Sequence, residues 1–170
     1  MAGERGHTNK GASSMNTADL GELAAELVGN HAGYRWSVLS PGGPDSDLRA
    51  EIRAVDDPSR MAVLWIRAGA EVFHVQVWGH EDTDLAYEDE ERVEVLQERI
   101  DLAMAALRGP TQVTIWRAGD QVIRSRLVLT DGTHEWQGQD VDRRLARVVA
   151  WFRGQRVVEQ HIVVQAIREP

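Results

Sequence analysis

The chain has 170 residues, no cysteine, and 27 acidic against 19 basic side chains, for a formal charge of −8. Disulfide frameworks, thiolate metal sites and cysteine nucleophiles are excluded, and the acidic balance argues against a nucleic-acid binder, which would carry a basic excess. A hydrophobic content of 42% argues against a disordered chain, and no apolar run approaches the ~18 residues of a membrane-spanning helix.

Residues 1–15 are polar and Gly-rich, with no apolar core of a secretory signal. They read as a disordered lead-in, with Met15 as well as Met1 a candidate start, and the cytoplasm is the default compartment. Residues 16–170 read as a single α+β domain. Asp19 with Glu22 resembles a capping box, and Asn16 and Thr17 are alternative caps. Leu20, Leu23, Ala24, Leu27 and Val28 follow at helical spacing, so the first helix is expected over residues 17–30.

Strand material follows. Tyr34, Trp36 and Val38 alternate with polar neighbours. Pro41-Gly42-Gly43-Pro44-Asp45 reads as a loop. Leu48, Ala50, Ile52 and Ala54 form one face of a half-buried strand. Residues 61–67 are apolar on both faces and read as a central strand. Residues 72–78 place Phe73, Val75 and Val77 on one face and His74, Gln76 and Trp78 on the other. These four make an antiparallel meander. Residues 79–87 read as an acidic loop, followed by a long helix over 88–108 with Val93, Leu96, Ile100, Ala103 and Leu107 as its buried stripe.

Three shorter strands are expected at 112–117, 121–129 and 133–137. Asp140 caps an expected third helix with Val141, Leu145, Val148, Val149 and Phe152 inward. The tail 156–167 suits a strand, with helix left open. Ile66-Arg67-Ala68-Gly69 echoes in Trp116-Arg117-Ala118-Gly119, so units 61–108 and 112–153 are candidates for a weak duplication, with shared turn chemistry the simpler cause. The expected fold is an antiparallel sheet of about six to eight strands with three helices on one face, ordered α-ββββ-α-βββ-α. That order is similar to that of small acidic secretion chaperones, in element order alone and through no motif.

The charge is localised. Residues 81–98 hold nine acids and one base, and the other 152 residues balance at 18 of each. Three readings compete. Glu88, Asp89, Glu90 and Glu91 suit the first turn of a helix, where carboxylates oppose the positive end of the dipole at about 0.3–1 kcal/mol each. Alternatively, Asp82, Asp84 and Glu88–Glu91 steer a basic protein partner, with Trp78 and Tyr87 as aromatic anchors. Thirdly, His80, Asp82 and Asp84 offer nitrogen and oxygen ligands to a divalent metal, though without EF-hand spacing.

No GxGxxG, phosphate loop, HExxH or GxSxG is present. Lys10 is the only lysine among 18 arginines, so a Schiff-base lysine has no candidate within 16–170. Arg124, Arg126, Arg143, Arg144 and Arg147 read as a solvated basic face, able to pair with the acids in a homodimer. The sequence therefore leads to a non-enzymatic protein-binding module, immunity-protein-like or chaperone-like, with a basic protein partner and no cofactor, nucleic acid or membrane. The alternative is a divalent-metal-dependent hydrolase or small-ligand binder using the segment from His80 to Asp84.

Overall fold

In the computed structural model, residues 14–118, 121–129, 135–137 and 157–165 are described. The order is α1 (Thr17–Gly29), β1 (Tyr34–Gly43), β2 (Ser46–Ala54), β3 (Met61–Ile66), β4 (Val72–Val77), β5 (His80–Leu85), α2 (Asp89–Arg108), β6 (Thr111–Ala118), β7 (Gln121–Leu129), β8 (Glu135–Gln137) and β9 (Val157–Val164). The class is α+β and every strand pairing is antiparallel. The strands form two sheets rather than one: β1-β2-β3-β4-β5, and β8-β7-β6-β9. Two helices lie among the described residues. The expected third helix, from Asp140, and with it much of the second duplication unit, lies outside them.

α1 starts at Asn16, not Asp19. The Asn16 side chain accepts from the Ala18 and Asp19 N–H groups, and Asp19 reaches back to the Asn16 N–H, closing a capping box one turn earlier than Asp19–Glu22 would. Thr17 ties the helix to the first hairpin. Its hydroxyl accepts from the Gly43 N–H at 2.7 Å and donates to the Ser46 carbonyl at 2.6 Å.

Two expected loops are strands. Pro41, Gly42 and Gly43 continue β1, with Pro41 opposite Leu48. β1 is a sheet edge, where a residue lacking an N–H is tolerated because no further strand needs it. His80–Leu85, read as an acidic loop, is β5 on the opposite edge. Trp78 and Gly79, at φ 47° and 79°, make the two-residue turn that folds β5 back on β4. Paired positive φ values match the right-handed twist of a hairpin.

The register arranges the inner face in rows across the sheet. Leu48, Ile66, Phe73 and Asp84 form one row, Ala50, Leu64, Val75 and Asp82 the next, and Ile52, Ala62, Val77 and His80 the third. Each row is apolar until β5, where it ends in a polar side chain. α1 packs on β1 and β2, and α2 on β2, β3 and β4, so both cover this face. Leu20, Ala24 and Val28 from α1 and Leu96, Ile100, Ala103 and Leu107 from α2 complete a core that includes Val113, Ile115 and Leu127 of the second sheet. Each large aliphatic side chain so buried contributes about 1.5–3 kcal/mol. Val93, expected in the stripe, is 37% exposed. In its place Arg92 and Arg99, two turns apart, are buried.

Candidate functional site

The acidic segment splits at Leu85. In β5 the side chains alternate, so His80 and Asp82 point inward while Glu81 is exposed. Asp82 pairs with Arg99 of α2, which is fully buried, and Asp84 lies 3.6 Å from the same guanidinium. Burial raises the Asp82 carboxyl above its ordinary range, against the pull of Arg99 and its hydrogen bonds. His80 is fully buried against the second sheet, its Nδ1 2.9 Å from the Ser125 hydroxyl. Desolvation lowers its pKa from 6.5 to about 4, so the ring is neutral at pH 7. The turn before it is wedged tightly: a Cβ on Gly79 would lie 2.8 Å from Ile115 Cδ1. Trp78 is half-buried and packs partly on the core.

His80, Asp82 and Asp84 therefore do not assemble a metal centre. Ser125 and Arg99 occupy them, and among the described residues no His/Asp/Glu group is arranged to hold a metal ion. Nor do Asp82 and His80 offer themselves to a partner, since both are buried. His74, on the other parity, faces the opposite side of the sheet.

The helix half is different. Asp89 accepts from the Met15 N–H at 3.0 Å, from Ser14 at 3.1 Å and from Arg92 at 3.0 Å, which pins residues 14–15 to the start of α2. The Met15 N–H above all, with Ser14 and Arg92, holds the Asp89 carboxyl below its ordinary value. Glu91 accepts from the Tyr87 N–H at 2.8 Å. Glu88, at the N-cap, makes no side-chain cap bond. Glu88, Glu90 and Glu94 are exposed, and their carboxylates make no hydrogen bond or ion pair among the described residues. Tyr87, Leu85 and Val93 are exposed apolar side chains in the same stretch, Tyr87 at 59%.

The face of the five-stranded sheet that neither described helix packs on holds a second feature. A cavity of about 460 Å³ is lined by Ser40, Asp47, Arg49, Val63, Trp65, His74, Gln76 and Glu81. Strand alternation places these residues outward because their neighbours face the core. Arg49, Trp65, His74 and Thr83 form one row across β2 to β5, and Glu51, Val63, Gln76 and Glu81 the next. Trp65 is fixed: its indole N–H donates to Asp47 at 2.9 Å, its ring stacks on His74 at 5.3 Å, and the Arg67 guanidinium sits 5.2 Å away. The Ala68 N–H first, then the indole, lowers the Asp47 pKa. His74 Nδ1 lies 2.7 Å from the Thr83 hydroxyl, and its Nε2 is shielded from water without a partner. Burial first, then Arg67, lowers the His74 pKa, which keeps the ring neutral at pH 7.

Sequence reasoning missed Arg99 and this cavity. The signal for Arg99 was present: one arginine inside an apolar stripe, flanked by Leu96, Ile100 and Ala103. Residues 61–67 did place a central strand, but their doubly apolar pattern hid an outer face, carrying Trp65, that neither described helix packs on.

No helix among the described residues is long and apolar enough to cross a membrane. A scan against protein-family models, a search of curated proteins and a search of solved structures return no match.

Proposed function

We propose that the protein is a non-enzymatic protein-binding module, immunity-protein-like or chaperone-like, that presents the N-terminal end of α2 to a basic protein partner. The observation that carries this reading is the set of unengaged carboxylates, Glu88, Glu90 and Glu94, beside exposed Leu85, Tyr87 and Val93. Carboxylates with no internal partner are free to steer a cationic surface, and their field speeds encounter more than it strengthens the final complex. Tyr87 is the aromatic anchor of the patch, since a large rigid ring gains contact area at small entropic cost. Asp82, Asp84, Asp89 and Glu91 support the fold around the patch.

The test is association with a basic partner captured by cross-linking in native lysate. The triple variant E88K/E90K/E94K is expected to associate at least tenfold more slowly at low ionic strength, a scale typical of electrostatic steering. Its association rate should also lose most of its salt dependence. An unchanged rate and salt slope would remove the reading.

A further inference from the structure

The cavity on the face of the sheet opposite α2 lies apart from the acidic patch at the start of that helix. It is charged at its two ends and lined by both apolar and polar side chains between them. Arg49 of β2 stands at one end, exposed and without a hydrogen bond or ion pair among the described residues. Glu81 of β5 stands at the other, engaged through one oxygen by the Gln76 amide at 3.0 Å. Val63 and Trp65 lie between them, as do His74 and Gln76 of β4. The two ends are three strand spacings apart, about 14 Å between backbones, and both side chains line the cavity. A volume of about 460 Å³ falls in the range of roughly 300–1,000 Å³ common to small-ligand sites.

The polar atoms define the ligand. A ligand that satisfies the cavity carries an anion for Arg49, a cation for Glu81 and an apolar side for Trp65 and Val63. We infer that the cavity binds a short zwitterionic peptide, of two or three residues, with its carboxylate at Arg49 and its ammonium at Glu81. Trp65 is held in place for this by Asp47, so the apolar wall is preorganised before binding.

The probe is the dipeptide leucyl-leucine, titrated into the full chain by calorimetry, with its N-acetyl and C-amide forms in parallel. The zwitterion is expected to bind, and each capped form to bind about fivefold or more weakly, a scale set by loss of one partly exposed charge-assisted contact. Arg49→Gln is expected to weaken the zwitterion and to abolish its preference over the C-amide form. Glu81→Gln should do the same for the N-acetyl form. Both positions are exposed, and far-ultraviolet circular dichroism checks that the fold is intact. Amide shifts in nuclear magnetic resonance should centre on Trp65, His74 and Gln76. No binding of leucyl-leucine, equal binding of the capped forms, or shifts elsewhere would each overturn the site. The variant E88K/E90K/E94K should bind the dipeptide as the parent does, which separates this result from that of the acidic patch.

Discussion

Two halves of one acidic segment have opposite fates. Glu81 to Asp84 and Glu88 to Glu94 are alike in composition and lie within fourteen residues of each other. The first half is a strand, and alternation turns Asp82 into the core, where Arg99 meets it. The second half is the first turns of a helix lying on the sheet, and its periodicity leaves Glu88, Glu90 and Glu94 outward. Charge density in a sequence is therefore not surface charge. The period of the element, two against 3.6, decides which carboxylates solvent or a partner can reach.

The largest expected effect breaks the strand half. Arg99→Ala strands a buried carboxylate, and the unfolding free energy should fall by about 3–5 kcal/mol in urea denaturation. Replacing both partners, as Arg99→Met with Asp82→Leu, should restore most of it, because the cost lies in the unpaired charge. A double variant as unstable as Arg99→Ala alone would show that packing, not charge pairing, dominates there.

His80 supplies the next effect. Its imidazole is lowered from 6.5 to about 4 in the folded chain, so between those values the unfolded chain binds the extra proton. Stability is full above pH 6.5 and declines as the pH falls toward 4, by about 3 kcal/mol in all. The raised Asp82 carboxyl acts in the opposite sense at the acid end, since there the folded chain takes up the proton first. His80→Asn should flatten the decline between pH 6.5 and 5. An unchanged slope, read from denaturation midpoints, would place the acid sensitivity elsewhere.

Gly79→Ala tests how tightly the hairpin that delivers β5 is seated. The added Cβ meets Ile115 at 2.8 Å and φ is 79°, so a loss of about 1–3 kcal/mol is expected. The smallest effect belongs to the helix half. E88K/E90K/E94K should change the unfolding free energy by no more than about 0.5 kcal/mol, as exposed substitutions do. A larger loss would mean that these carboxylates stabilise the helix end itself, and the contrast between the halves would narrow.

Several elements were legible in the residues because their patterns are local. Asn16 to Val28, residues 48–54, 72–77 and 121–129, and the helix ending at Gly109 all follow from periodicity and end signals within a few residues. Pro41 in β1 was not legible, because tolerance of proline depends on being at an edge, and edge position is a property of the sheet. β5 was not legible either. Its residues have poor strand propensity, and they pair because the Trp78-Gly79 turn and the neighbouring β4 recruit them.

The sequence by itself determined the α+β class, the antiparallel hairpins, the two described helices and the excess charge on one 18-residue stretch. Tertiary structure decided the division into two sheets, the burial of Arg99 against Asp82, the closing of His80 onto Ser125, and the row Arg49, Trp65 and His74 that walls the cavity. Each of these joins residues from different elements. Backbone periodicity records which way a side chain points, but what it meets there is set by register and packing across the chain.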